Sequence, residues 1–438
     1  MIKKILVIGL FTGLAHLLSF YGVSFIVKMN ADKIFVSKIA EIESAIALML
    51  SIMSFGLQQV ATRDIAIKDN WRKVLILTQK NRLSMSLFLV SLGLFLYMFT
   101  NDTYYFIFFL APFLALNVDY ALYGRGFSVQ ASFLSLIKVG IPAVVLIILG
   151  LTRVFSFKIY IIATIVSWLI IGFFSNKILN VLMLLKPRLG FIKSYLKRIK
   201  IGFTDIAITT LKLGILTLAK PLYEETIIAN AFVVLKIYVL VKGIQRVIFQ
   251  AFYKDLVDEK KAFLIDKMGF VLGFIFFSIT FFYPNEIITF LFTDDYISSK
   301  HLFTMIGFTM LISSISISVS PRMLLLKRDK GYINSYLYAL IGALIFLLIV
   351  SKTSFYFYGI IGAILFGETI LNLLFFFFSK GDIFTYERLW FLMELGLLFI
   401  IFALIYFNFE TQVSLLLNTI CFVLYGIYFM IRHKKQFL

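Results

Sequence analysis

The sequence has one cysteine, Cys421, in 438 residues, and three histidines, His16, His301 and His433. A single thiol cannot close an internal disulfide, and so few imidazoles give no metal-ligand spacing. Charge is scarce too: Asp, Glu, Lys and Arg make up 15% of the chain, against roughly 25% in a soluble domain. No nucleophile–histidine–acid set, P-loop or dinucleotide glycine pattern appears. Connections between apolar blocks stay below about twenty residues, far short of an extramembrane domain. A polymerase, ligase or glycosyltransferase needs such a segment to hold sugars and catalytic groups. Asp294-Asp295-Tyr296 is one paired-carboxylate loop.

What the chain does have is apolar surface. Hydrophobic residues are 61% of the total, above the roughly 45–50% of soluble proteins. They come in blocks of about 18–25 residues, the length of a bilayer-spanning helix. The blocks do not alternate polar with apolar, which excludes a β-barrel. Spans are predicted at 5–27, 34–60, 74–99, 104–124, 132–151, 157–180, 202–222, 226–251, 264–284, 301–321, 332–351, 357–378, 389–407 and 411–431. The fold class is therefore an all-α membrane protein with about fourteen transmembrane helices, or twelve if one weak pair is misread. The stretch after Met1-Ile2-Lys3-Lys4 reads as an uncleaved first span, since its block is too long for a signal core and no small-x-small site follows.

The net charge of +19 fits an anionic lipid leaflet better than nucleic acid, because cytoplasmic loops collect Lys and Arg. Even-numbered loops are basic, as in Arg63, Lys68, Arg72 and Lys73, or Arg322, Lys327, Arg328 and Lys330. Odd-numbered loops carry acids such as Asp102, Glu224 and Glu225, with Lys28, Lys33, Arg153 and Lys352 as exceptions. Both termini are thus expected in the cytoplasm. The segment 186–200 carries the one extended basic run, with Phe191, Ile192, Tyr195 and Leu196 between cations. It reads as an amphipathic helix on anionic lipid.

That segment also divides the chain. Residues 1–185 form an N-terminal bundle of spans 1–6, 186–200 the linker, 201–380 a bundle of spans 7–12, and 381–438 two extra spans. An echo supports a repeat: Gly56-Leu57-Gln58-Gln59-Val60 closes span 2 and Gly243-Ile244-Gln245-Arg246-Val247 closes span 8, six spans later. Gly126-Phe127 before span 5 and Gly331-Tyr332 before span 11 repeat it. Two six-helix bundles related by a pseudo-two-fold along the membrane normal would give this pattern. Gly9-x-x-x-Gly13 and Gly269-x-x-x-Gly273 are close-packing motifs. Pro112, Pro142 and Pro321 mark bends.

A charge at a helix centre costs about 2.5–3.5 kcal/mol on insertion scales, so such charges face a partner or a wet cavity. Glu41, Gln59 and Arg63 would share one face of span 2 at helical spacing. Asp205, Lys212 and Lys220 fall within an arc of about 100° on span 7. Span 8 adds Lys236, Lys242 and Arg246. Arg63, Lys80, Arg82, Lys220 and Arg246 also suit snorkelling at helix ends, His16 suits a packing role, and Asp119 and Lys138 suit an ion pair. Arg63, Lys212, Lys220, Lys236, Lys242 and Arg246 are the candidate cationic cavity, which implies an anionic cargo. Glu41, Asp205 and Glu368 are candidates for coupling to a proton or other ion. No cofactor or metal is expected.

The stretch Ser54-Phe55-Gly56-Leu57-Gln58-Gln59-Val60-Ala61-Thr62-Arg63-Asp64-Ile65-Ala66, with Asn117-Val118-Asp119-Tyr120 through Gly124-Arg125-Gly126, resembles the O-antigen and repeat-unit flippases of the multidrug/oligosaccharidyl-lipid/polysaccharide exporter superfamily. The second stretch departs from the family's aromatic-Gln-Gly form, having Leu122-Tyr123-Gly124. The resemblance implies flipping of an undecaprenyl-diphosphate-linked oligosaccharide across a bacterial inner membrane by alternating access, with membrane lipid and polysaccharide-assembly proteins as partners. The leading rival is a multidrug/cation antiporter of the same architecture, which would favour buried carboxylates over cations.

Overall fold

The computed structural model describes residues 2–437 except 197, 252–255, 257, 327 and 380–385; of 2–6, 59, 246–251, 386–390, 430 and 433–437 it describes the backbone only. The described chain is helical: α1 (Ile2–Lys28), α2 (Lys33–Ser54), α3 (Leu57–Ile67), α4 (Trp71–Thr100), α5 (Ala111–Ala115), α6 (Asp119–Gly124), α7 (Ser128–Thr152), α8 (Phe157–Leu179), α9 (Phe191–Leu196), α10 (Ile199–Thr209), α11 (Ile215–Ala219) and α12 (Glu225–Ala251). Then come α13 (Glu259–Phe282), α14 (Pro284–Leu291), α15 (Lys300–Ser314), α16 (Val319–Leu325), α17 (Asp329–Val350), α18 (Gly359–Phe378), α19 (Tyr386–Asn408) and α20 (Thr411–Phe437). Among the described residues, thirteen segments are long and apolar enough to cross a bilayer. The fourteenth expected span, α2, has the length, with 22 residues, and carries Lys33, Lys38, Glu41 and Glu43.

The chain forms two compact units, residues 1–243 with 347–360, and residues 244–346 with 361–438. The expected division at 186–200 lies inside the first unit, because spans 7 and 8 pack with the first six. Among its described residues the linker holds the six-residue α9 and the first two residues of α10. One side of it is anchored: Tyr195 is buried and its hydroxyl donates to the Met53 carbonyl at 2.7 Å.

Three helices in the first unit are interrupted, each for a legible reason. Phe55 and Gly56 adopt left-handed φ values of 32° and 72°, which ends α2 and starts α3. Glycine suits that conformation. The expected stripe of Glu41, Gln59 and Arg63 is therefore broken, since 41 and 59 are not joined by a continuous helix; the Gln59 side chain lies outside the described residues. Gly243, by contrast, sits inside the continuous α12, where a Cβ would meet the His16 ring at 2.6 Å. So the two echo glycines do different work: one turns the chain, the other admits α1 against α12.

Span 7 is interrupted by a wide π-type turn at Thr210–Gly214, with Lys212 at φ −125° and ψ −121°. Span 4 starts as a 3₁₀ helix (Thr103–Leu110) and breaks between α5 and α6. The orphaned backbone there is satisfied by neighbours. Gln79 Nε2 donates to the Ala115 carbonyl. Asn176 Nδ2 donates to that of Leu116 at 2.9 Å, and Arg82 Nη1 to that of Asn117 at 2.5 Å. Non-helical backbone at membrane depth persists only when braced in this way.

The second unit repeats the device. Span 10 also opens as a 3₁₀ helix (Asp294–Ser299) and breaks between α15 and α16. The Ser318 N–H donates to Asp266 Oδ1 at 2.8 Å, and Ser316 Oγ to Asn372 Oδ1 at 2.5 Å. The first break is braced from spans 3 and 6, the second from spans 9 and 12. That six-span offset is the repeat the glycine echo only hinted at. Gly269 and Gly273 do mark a close approach, of α13 to α15: a Cβ at either would come within 2.3 Å of Ile317 or Ser314. Gly13 has open space in the same test.

Candidate functional site

The polar seam of the first unit runs along α2. Its hydrophobic neighbours leave α2 a face of small and charged residues, and span 7 supplies partners in antiparallel order. Lys220 Nζ donates to Glu41 Oε2 at 2.9 Å. One turn on, Ser44 Oγ accepts the Thr217 N–H at 2.8 Å and lies 2.6 Å from Thr217 Oγ1. Next, Gly214 gives room to Leu48, whose Cδ2 would stand 2.9 Å from an added Cβ. Last, Asp205 Oδ2 accepts the Gly56 N–H at 2.8 Å. Each step forward along α2 is a step back along span 7, so the two interrupted helices are zipped together by four contacts.

Span 8 meets another side of α2. Lys236 is buried, 4% exposed, on the helix whose run from Ile227 to Tyr238 forms the centre of the unit. Its ammonium donates to Glu43 Oε2 at 2.5 Å and to Ser19 Oγ at 2.7 Å. The Tyr160 hydroxyl donates to Glu43 Oε1 at 3.2 Å. A charge this deep is strongly destabilising when it has no such partner. The carboxylates thus hold both lysines in the conformation seen.

The remaining expected site residues are placed as follows. Arg63 is 70% exposed beside Asp64 at 3.6 Å. Lys212 is half-buried in the π-type turn, and Lys242 half-buried with its ammonium 5.5 Å from the Tyr238 ring. The Arg246 side chain lies outside the described residues. Glu368 is buried in the second unit, whereas Glu41 and Asp205 belong to the first. Asp205 is committed to the Gly56 N–H and Glu41 to Lys220, so both acids serve the seam. Lys220 and Lys236 likewise come as ion pairs rather than as an open cationic wall. The ammonium of Lys220 also lies 3.7 Å from the Tyr104 ring centroid, a cation–π contact.

One of the other expectations for the charged residues changes and one holds. Arg82 does not snorkel: it is 1% exposed, bracing the span-4 break and stacked 5.4 Å from the Tyr120 ring. Lys138 and Asp119 do pair, at 3.7 Å, with Lys138 over the Trp168 ring at 5.0 Å. Sequence reasoning missed Gln79, Asn176, Asp266 and Asn372. The available signals were the Asn117-Val118-Asp119 break, where Asn117 Oδ1 accepts the Asp119 N–H at 3.0 Å, and the serine cluster 313–318.

No protein-family profile and no curated protein matches this sequence. Solved structures match it in fold. The lipid II flippase MurJ, in an inward closed conformation, superposes with a TM-score of 0.70 at 15% identity, over 99% of this chain and 100% of that one. An inward-facing multidrug resistance MATE family transporter of the MOP superfamily gives 0.60 at 13% identity, over 87% of this chain and 94% of that one. MATE in its bent conformation gives 0.54 at 14% identity, over 90% and 95%. At these identities the likeness is one of fold.

Proposed function

We propose that the chain is a flippase that moves a lipid-linked oligosaccharide carrying a diphosphate from the cytoplasmic to the outer leaflet of a bacterial inner membrane by alternating access, and that it is not an enzyme. The observation that carries this reading is the end-to-end match to a flippase fold, 99% of this chain against 100% of MurJ, combined with the buried Lys236 inside a membrane helix bundle. The cargo of such a protein carries hydroxyls and charge, and moving an unpaired hydroxyl into alkane costs about 4–8 kcal/mol. A lumen lined with paired polar groups removes most of that barrier.

In this reading Lys220 and Lys236 exchange partners. Without cargo they hold Glu41 and Glu43. With cargo they turn to the diphosphate, and the released carboxylates take up protons or another ion. Lys212 and Lys242 add positive charge on the same two spans, Arg246 adds it near the cytoplasmic end of span 8, and Arg63 adds it on α3, after span 2. O-antigen or another surface polysaccharide is the pathway the motif resemblance favours.

The test is reconstitution in liposomes with a fluorescent undecaprenyl-diphosphate oligosaccharide, scored by exposure of the sugar to an externally added glycosidase. Wild type should expose it within minutes. The Lys212→Ala variant combined with Lys236→Ala and Glu43→Gln, the last to avoid a stranded carboxylate, should slow exposure at least tenfold. Transport of cationic dyes with no effect on the lipid-linked sugar would overturn the reading in favour of a MATE-like antiporter.

A further inference from the structure

Basic residues are disfavoured in short loops on the outer side of a membrane. Arg153 nevertheless stands in the connection between α7 and α8, at the end that the loop charges predict to face outward. Packing brings two more cations to it. The outer ends of α1 and α7 lie close, since a Cβ on Gly150 would meet Phe25 at 3.0 Å and Met29 at 3.4 Å. The start of α2 reaches the α7–α8 connection through Phe35, whose ring centroid is 5.6 Å from that of Phe155. Lys38, on α2, holds its ammonium 6.0 Å from the Phe157 ring centroid, and Lys158 is the next residue. Lys38, Arg153 and Lys158 are all exposed. Among the described residues no carboxylate forms an ion pair with any of the three. Asp32, in the α1–α2 connection, accepts the Ile34 N–H at 3.2 Å, and Glu41 and Glu43 are taken by Lys220 and Lys236. Lys28 and Lys33 stand at the same end with contacts of their own, so the patch is counted without them.

Two of the three cations also sit where the local backbone does not favour them. Arg153 caps α7 in left-handed backbone, with a φ of 53°. Asn30, Asn101 and Asn180 take up left-handed backbone elsewhere in the chain, and asparagine tolerates it better than arginine. Lys158 lies in the first turn of α8, where the helix dipole favours acids. The connection that carries them is tight: the Val154 N–H donates to the Leu149 carbonyl at 3.2 Å, and the Ser156 N–H to the Val154 carbonyl at 2.9 Å. Cations placed against membrane side, dihedral and dipole call for a negative partner that the described chain does not supply. The surroundings indicate which partner fits. Leu151, Val154 and Ile159 are 66%, 55% and 44% exposed, so apolar surface open to the bilayer adjoins the patch. A guanidinium fork matches phosphate oxygens in pairs, and basic groups beside exposed apolar side chains suit an anionic lipid at the membrane boundary.

We propose that Lys38, Arg153 and Lys158 bind the phosphate of an anionic phospholipid in the outer leaflet, with its acyl chains along Leu151, Val154 and Ile159. The site goes beyond the flippase reading and stands without it: its ligand is bulk lipid rather than cargo, and none of the three residues belongs to the seam of Glu41, Ser44, Asp205 and Lys220. Bound there, the lipid ties together the outer ends of α2, α7 and α8.

The experiment is native mass spectrometry of the purified full chain titrated with phosphatidylglycerol, with phosphatidylcholine, and in a third series with undecaprenyl phosphate. Phosphatidylglycerol should bind at least about tenfold more tightly than phosphatidylcholine, and the Lys38→Gln/Arg153→Asn/Lys158→Gln variant should lose that preference. Arg153→Asn alone separates binding from folding. Asparagine keeps the left-handed cap, so this variant should melt no lower than wild type in lipid-free detergent and still bind phosphatidylglycerol more weakly. Lys300→Gln, which removes an exposed cation near the outer end of span 10, should keep the wild-type preference. Equal phosphatidylglycerol binding by wild type and the triple variant would overturn the proposal, as would an equal loss in Lys300→Gln. Undecaprenyl phosphate binding more tightly than phosphatidylglycerol, and lost in the triple variant, would reassign the patch to cargo.

Discussion

The Ser44 hydroxyl accepts the backbone N–H of Thr217 at 2.8 Å, joining α2 to the first turn of α11. That N–H follows the wide turn at Thr210–Gly214, where the regular intrahelical pattern is interrupted, so a side chain from the neighbouring helix completes it. Ser44 is fully buried. Ser44→Ala should therefore strand the donor and destabilise the protein by about 1–3 kcal/mol, read as a lower melting temperature in detergent. Ser44→Thr keeps an acceptor and should recover part of the loss. An unchanged melt for Ser44→Ala would show that the seam contact contributes nothing.

Lys236 and Glu43 give a cleaner separation of charge from packing. Removing one member of a buried pair leaves the other charge uncompensated, at a typical cost of about 3–5 kcal/mol, whereas replacing both with apolar or neutral groups is often close to neutral. Glu43→Gln and Lys236→Met should each melt well below wild type, and the double variant should melt nearer to it. Additive losses in the double variant would mean that the 2.5 Å contact carries no coupling energy. The double variant should still lose flipping if the lysine serves the cargo.

Much of this was legible in the residues. The hydrophobic blocks gave the all-helical membrane fold and the span order, because an apolar run of that length has no other stable home. The Asp119–Lys138 pair followed from two opposite charges on consecutive spans. What the sequence could not show was where helices break. Glu41, Asp205 and Lys220 look like candidates for a wet cavity when helices are drawn straight. Once α2 ends at Phe55–Gly56 and span 7 widens at Lys212, Glu41 becomes the partner of Lys220, and Asp205 the acceptor of the Gly56 N–H. Arg82 misled for a related reason: its proximity to the α4 start suggested an exposed head, while the carbonyl it satisfies belongs to a break thirty-five residues later.

Gly56 tests the first of those breaks. Its φ of 72° is open to glycine and costs other residues about 1 kcal/mol or more. An added Cβ would also press on Ile201 at 3.0 Å. Gly56→Ala should lower the melting temperature, and Gly56→Asn, which tolerates left-handed backbone better, should lower it less. Asp205→Asn keeps an acceptor for the Gly56 N–H and should be milder than Asp205→Ala. Reversal of either order would separate Gly56 from its assigned role.

On the polar α3, Lys68 hydrogen-bonds Asp64 at 2.9 Å and, with Arg63, holds the carboxyl below its ordinary value of 3.8. A depressed folded-state pKa stabilises fully above the ordinary aspartate range and loses that contribution as pH falls through the folded value. The pair is surface-exposed, so the effect should stay below about 1 kcal/mol. Wild type should be slightly more stable than Asp64→Asn near pH 7, with the gap closing as pH falls below the ordinary aspartate range. A gap that widens in acid would contradict the assignment.

Arg82 and Asp266 brace equivalent breaks, so their loss should look alike. Arg82→Met removes the donor to the Asn117 carbonyl and the cation over Tyr120. Asp266→Ala removes the acceptor for the Ser318 N–H. Each leaves a buried backbone group unsatisfied, worth about 1–3 kcal/mol, and each should raise amide exchange locally: at residues 116–119 in the first variant and 315–319 in the second. Arg82→Lys and Asp266→Asn should show smaller increases, since they keep a donor or an acceptor. Hydrogen exchange measured on the two variants should find those windows loosened while α7 and α17, the helices that follow, keep wild-type protection. Exchange that rises evenly along spans 4 and 10 would mean that the breaks are held by helix packing rather than by these two side chains.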